Sequence, residues 1–181
     1  MKITFESANE SDMDALLKEN LEEFDQHLDD STQSDPAYIF IDGHNVIDFD
    51  RKRGDDEAAR TRLTVKVREC ARLLRMRGED IYFELVFDTS GASNVALCEA
   101  GFKVVYRHND KQEVSGASGA DAYIVSSLQK LQAGSKVTIY SNDKKDIWRQ
   151  AQAVAKSKKH RLSCQSADKL YDFIAATQGR M

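Results

Sequence analysis

Ala37-Tyr38-Ile39-Phe40-Ile41-Asp42-Gly43-His44-Asn45 is a short apolar run that ends abruptly in an acid, a glycine, an imidazole and an amide. The run is rich in β-formers and too short for a helix, so it predicts a buried strand with Asp42 at its carboxyl end. Gly43 supplies the freedom for a sharp turn directly after it. In open parallel sheets ligands bind beyond the carboxyl ends of the strands, which makes Asp42 a candidate functional residue. A strand closed by an ordinary polar turn, with Asp42 capping the next element, accounts for this stretch alone equally well.

Working outward, the same pattern returns. A polar loop from Asp48 to Gly54 leads to a long helix from about Asp56 to Met76, in which Leu63, Val67, Cys70 and Leu74 form the buried stripe and Arg60, Arg62, Lys66, Arg68, Arg72 and Arg75 surround it. Gly78 ends that helix, and Ile81 to Asp88 is a second β-rich run closed by an acid. Asn94 to Ala100 reads as a short helix broken by Gly101, and Lys103 to Tyr106 as a third strand. Asp121 opens a helix whose apolar positions are Ile124, Val125, Leu128 and Leu131. Lys136 to Tyr140 is a fourth strand, followed by Ser141-Asn142-Asp143, with Asp146 one turn into a helix that runs through about Val154. A basic run, a short edge strand at Arg161 to Cys164 and a last helix capped by Ser166, with Leu170, Phe173 and Ile174 inward, complete the chain. Alternation of strand and helix argues for an α/β fold, a mostly parallel sheet covered on both faces.

Composition narrows the class. The 181 residues suffice for one domain with a sizeable core. No apolar run approaches the roughly 20 residues that span a bilayer, and the start lacks the pattern of a signal peptide, which places the chain in the cytoplasm, away from membranes. Cys70, Cys98 and Cys164 are odd in number and widely spaced, so they read as reduced core residues and not as a disulfide framework or zinc site. The net charge of −4 is uneven: residues 1–35 hold eleven acids against Lys2 and Lys18, a net −9 that leaves +5 on the rest. Residues 1–35 therefore read as an acidic N-terminal arm with an amphipathic helix (Leu17, Leu21, Phe24, Leu28), and residues 36–181 as the main domain. The arm is an accessory helix docked on the domain; an autoinhibitory cover over a basic groove, or a self-association element, is the alternative.

Right-handed crossovers bring the ends of parallel strands to one edge, so Asp42, Asp88 and Asp143 should converge there with Asp121. Gathered carboxylates repel one another and are tolerated chiefly when a divalent cation or a proton compensates them. An all-oxygen set favours Mg²⁺ or Mn²⁺ over zinc. Such an ion polarises a phosphodiester and activates water, which points to phosphoryl hydrolysis. Taken singly, Asp121 and Asp143 read as helix caps and Asp42 and Asp88 as turn formers; their ordered recurrence favours a site. Asn45 is placed to orient Asp42 or a metal-bound water, and Ser141 or Asn142 to bind a carboxylate or phosphate. His44 receives no catalytic role.

The motifs Ile41-Asp42-Gly43-His44-Asn45-Val46-Ile47, Val86-Phe87-Asp88, Gly119-Ala120-Asp121 and Ser141-Asn142-Asp143, in that order, resemble the NYN domains of the PIN-like nuclease superfamily, especially the YacP-like branch, over roughly residues 37–165. The resemblance implies a three-layer α/β/α PIN-like fold and a metal-dependent endoribonuclease acting on RNA, with Asp42, Asp88, Asp121 and Asp143 as the matching acids. On that reading Arg51, Lys52, Arg53, Lys144 and Lys145 hold phosphates. A non-catalytic PIN-like module that binds RNA or a protein partner is the second reading. A phosphoacceptor receiver domain shares the acid-after-strand pattern, but it needs adjacent acids after the first strand and a lysine after the last, and this chain has neither.

Overall fold

The computed structural model describes residues 36–49, 56–108 and 119–179. The acidic arm, the Arg51-Lys52-Arg53 segment and the loop before Gly119 lie outside the described residues.

The opening run forms β1 (Ala37–Asp42), and α1 (Gly43–Phe49) follows it without an intervening loop. The polar stretch expected after β1 thus begins as a helix. Gly43 is required by close approach, not by an unusual backbone angle: a Cβ there would overlap the Phe87 ring. After α2 (Asp56–Met76), the chain reverses at Gly78, whose φ of 76° lies in the left-handed region that glycine enters without steric cost. Then come β2 (Ile81–Thr89), β3 (Asn94–Glu99), β4 (Phe102–His108) and α3 (Ala120–Lys130). The chain closes with β5 (Lys136–Tyr140), α4 (Ile147–Lys158), β6 (Arg161–Gln165) and α5 (Ala167–Gln178).

The six strands form one sheet in the order β3-β4-β2-β1-β5-β6, with every neighbouring pair parallel except β3 with β4. The central position of β1 explains its unbroken apolar character: it is covered on both faces, as strands of parallel sheets are. Ile39 and Ile41 join Phe83, Leu85, Phe87 and Val104 on one face, packed against the predicted stripe of α2 and against Leu170 and Ile174 of α5. Strand alternation sends Phe40 and Asp42 to the other face, which α3 covers through contacts with β1, β2 and β4, while α4 packs on α3 and β6. Ala120, Ile124 and Leu128 are the buried positions of α3, and Ile147, Ala151 and Ala155 those of α4.

Several sequence expectations change. Asn94 to Glu99 is an antiparallel edge strand paired with β4, with a register irregularity between Val95 and Leu97, both of which are partly buried. Cys98 is therefore exposed, whereas Cys70 lies in the core. The helix expected to end near Val154 continues to Lys158, and Asp146 precedes it at the N-cap position. Ser166 stands at the N-cap of α5, but its hydroxyl donates to the Asp168 carboxylate instead of accepting from the helix backbone. Phe173 is only partly buried, packed at the margin of the core.

Several cations of α2 and the turn after it make contacts within the fold: Arg68 pairs with Glu99 of β3, Arg72 with Glu69 of its own helix, the Lys66 ammonium lies 5.2 Å from the centre of the Tyr171 ring, and Arg77, just past the helix, donates to the Thr177 carbonyl at 2.7 Å. Among the described residues no helix is long and apolar enough to cross a membrane.

Candidate active site

The carboxyl ends of β1, β2 and β5 share one edge of the sheet, and the four predicted aspartates sit along it. Asp42 ends β1 and is 1 % exposed. A carboxylate buried so deeply needs donors, and it has three: the Asn45 backbone N–H on Oδ1 at 3.3 Å, the Asn45 side-chain amide on Oδ2, and the Ser141 hydroxyl on Oδ2 at 2.9 Å. Burial nevertheless outweighs them and raises the Asp42 pKa above the ordinary carboxylate value.

Ser141 is itself fully buried and links two acids. It donates to Asp42 and accepts the Asp143 backbone N–H at 3.0 Å. Asp143 Oδ1 in turn accepts the backbone N–H groups of Lys145 and Asp146 at 3.0 and 3.1 Å, which tightens the turn into α4. Asn142 braces the same loop from outside: its amide donates to the Asn45 carbonyl at 3.1 Å and its oxygen accepts the Ala167 N–H at 3.0 Å. One exposed asparagine thus ties α1, the loop after β5 and the start of α5 together.

Asp88 lies near the end of β2, and its Oδ1 accepts the backbone N–H of Ala120, the first residue of α3. That bond, at 2.8 Å, fixes the start of the helix bearing Asp121 against the strand bearing Asp88. Half-buried Asp121 is the electrostatic focus of the edge. Burial first, then the charges of Asp42, Asp143, Asp88 and Asp146, push its pKa up to about 7. The site therefore gathers more negative charge than its described surroundings neutralise. Its donor set is all oxygen, which suits a hard divalent cation. Among the described residues no three His, Cys, Asp or Glu side chains stand close enough to hold one ion together.

Three contributors escaped the sequence reading. His44 Nδ1 accepts the Asp88 backbone N–H at 3.0 Å, and its Nε2 lies 2.9 Å from the Arg60 guanidinium. Both of these partners are donors, and a neutral imidazole has one acceptor nitrogen, so at most one of the two contacts is a hydrogen bond at a time. Arg60 also lies over the Phe87 ring, 5.9 Å from its centre, and its Nε is buried without a partner among the described residues. The available signal was position: His44 is two residues from the acid that ends β1. Asp146, read from the sequence only as part of a helix, adds its charge to Asp121. Lys144 turns toward Trp148, its ammonium 5.5 Å from the ring centre, and Lys145 is exposed. Arg51, Lys52 and Arg53 lie outside the described residues.

No protein-family model matches the chain, and no curated protein matches it significantly. Among solved structures, the chain is similar to a single-substitution variant of Rae1 (YacP) from Bacillus subtilis, with a TM-score of 0.53 and 19 % identity, covering 79 % of this chain and 77 % of that one. The likeness is one of fold. The matched protein carries the name, YacP, of the branch that the four motifs resemble.

Proposed function

We propose that the chain is a metal-dependent endoribonuclease that hydrolyses RNA phosphodiester bonds at the carboxyl edge of its sheet. The observation that carries this reading is that Asp42, Asp88 and Asp143 stand near enough to Asp121 for their charges, with burial, to raise its pKa to about 7. The resemblance of the four motifs to NYN domains and the PIN-like fold support RNA as the substrate. Asp42, Asp88, Asp121 and Asp143 are the residues that would hold Mg²⁺ or Mn²⁺, which when bound would supply Lewis acidity for phosphodiester hydrolysis. The chain's own groups prepare the site. Asn45 and Ser141 hold Asp42 in one orientation, and Ser141 couples that orientation to the loop carrying Asp143. Lys144 and Lys145, directly after Asp143, supply positive charge for phosphates, the role that the sequence reading also gives Arg51, Lys52 and Arg53.

Purified protein should cut single-stranded RNA in Mn²⁺ and stop when a chelator is added. Asp42→Asn and Asp143→Asn should each slow cleavage roughly 100-fold or more while still binding RNA. Cleavage at the parental rate by either variant would remove the acids from the mechanism. The absence of three mutually close ligands among the described residues favours a second reading, an RNA-binding module with little turnover. It predicts salt-sensitive RNA retention, unaffected by these substitutions, with no Mn²⁺-dependent product.

A further inference from the structure

The order of the sheet decides which side chains border the acids. Along the carboxyl edge the strand ends run β4, β2, β1, β5, so Asp88 and Asp42 have β4 on one side and the loop after β5 on the other. Asp88 is the register partner of Arg107 on β4, which puts an arginine next to the first acid of the row. Lys144 and Lys145 directly follow Asp143, the acid at the far side. Cations therefore border the row at both ends.

Strand alternation sends Lys103 and Arg107 of β4 to the sheet face that α3 covers, and both meet Tyr123 of that helix. The Lys103 ammonium is engaged there: it donates to the Tyr123 hydroxyl at 3.1 Å and lies 3.7 Å from the Glu84 carboxylate. Arg107 is not. Its guanidinium carbon lies 5.4 Å from the centre of the Tyr123 ring, and it makes no hydrogen bond or salt bridge among the described residues. Nor is any of its nitrogens buried without a partner, so its donors open to solvent. The charges that act on Asp121 are all negative, those of Asp42, Asp143, Asp88 and Asp146, so this arginine is not spent on neutralising them. Lying over a ring consumes none of the five guanidinium N–H donors, and it restrains the side chain before any anion arrives.

Such a fork matches the paired oxygens of a phosphate or a carboxylate. The distance between the two borders decides the kind of anion. The end of β4 is three strand spacings, about 14 Å, from the end of β5. Arg107 is held on Tyr123 and Lys144 on Trp148, so no single phosphate touches both. A chain with phosphates at regular intervals meets both and lays the link between them across the acids. We propose that Arg107 is a phosphate-binding residue for an RNA strand that crosses the carboxyl edge from β4 to β5, gripping a phosphate on one side of the bond to be cut while Lys144 and Lys145 hold one on the other. The assignment rests on the endoribonuclease reading of the acids and adds the line that the strand follows over the sheet.

Binding is measured on the full chain, in chelator so that no cutting occurs, by fluorescence anisotropy of a labelled dodecamer of uridylate. Arg107→Gln should bind it about five- to tenfold more weakly, and the slope of log affinity against log salt should be shallower by about 0.7, the loss of one single-strand phosphate contact. Arg107→Lys, which keeps the charge without the fork, should fall between variant and parent. Lys136→Gln removes the same charge where β5 begins, at the opposite edge of the sheet, and should stay within about twofold of the parent. A purely structural role for Arg107 predicts instead a lower melting temperature with an unchanged salt slope. Uridine monophosphate at about a hundredfold excess should not displace the dodecamer. Parental affinity and slope in Arg107→Gln, an equal loss in Lys136→Gln, or no binding by the parent would overturn the site, and displacement by the monophosphate would overturn its assignment to a strand. A chain whose affinity depends on Arg107 yet which cuts no RNA in Mn²⁺ keeps the site and loses the nuclease; one that cuts RNA while Arg107→Gln binds as the parent does keeps the nuclease alone.

Discussion

At the scale of single residues, the edge of the sheet is governed by how each carboxylate is compensated. Asp42 is compensated by hydrogen bonds, Asp121 in the free protein by a proton. Because the Asp121 pKa is about 7 when folded, against roughly 4 for an unfolded aspartate, the native state holds the extra proton between those values. More protons bound in the native state means that stability falls as pH rises. The contribution is fully present below about pH 4 and lost as pH climbs through about 7. Metal-free protein should therefore melt at a lower temperature at pH 8 than at pH 5, and Asp121→Asn should flatten that slope; a variant that keeps the full slope would show that the proton sits elsewhere. A divalent cation competes with the same proton, so Mn²⁺ should raise the melting temperature more at pH 8 than at pH 5. Ser141→Ala removes a buried donor from Asp42 and a buried acceptor from the Asp143 amide together. It should destabilise the fold by about 1–3 kcal/mol in urea titrations. That Asp42, Asp88 and Asp121 stand at element ends was legible from the chain. Their partners were not: Ser141 reaches Asp42 from 99 positions away, and His44 reaches the Asp88 amide from 44.

Among the elements, two devices hold the site-bearing segments in register. The first is the contact of α1 with β2, where Gly43 leaves room for the Phe87 ring. Gly43→Ala forces that ring or the helix to move, and overpacking of this kind costs about 1–3 kcal/mol. Chemical denaturation should record that loss, whereas a variant as stable as the parent would mean that Phe87 has a free alternative position. The second is Asn142, whose two bonds join the start of α5 to α1. The sequence marked Gly43 as special for a backbone reason, because the chain alone does not say what lies above a glycine. For the same reason β3 read as a helix. Six residues with weak alternation carry little preference of their own, and the open edge of β4 decides their conformation.

For the molecule as a whole, charge is the main lever. The −9 carried by residues 1–35 is set against a domain of opposite sign. We predict that removing residues 1–34 raises RNA affinity several-fold at ~50 mM salt, with the gain fading by ~500 mM as screening shortens the reach of the acids. Filter binding of parent and truncated chains across that range is the measurement. Equal affinity at low salt would mean that the arm does not compete with phosphates. What the sequence determined by itself is the order of the parallel strands and of the helices α2 to α5, though not α1 or β3, and through it the edge on which the acids stand. Strand and helix periodicities are local, and the right-handed crossover leaves few ways to connect them. Only the tertiary structure decided that Asp42 is clasped by Asn45 and Ser141 and that His44 is spent on the backbone of Asp88. Those facts depend on which side chains meet across the fold, and hydrogen bonds between distant residues leave no period in the chain. The stretch from Ala37 to Asn45 contains both kinds of information: its apolar run specifies a central strand, and its polar tip acquires its partners only when β2 and β5 close on either side.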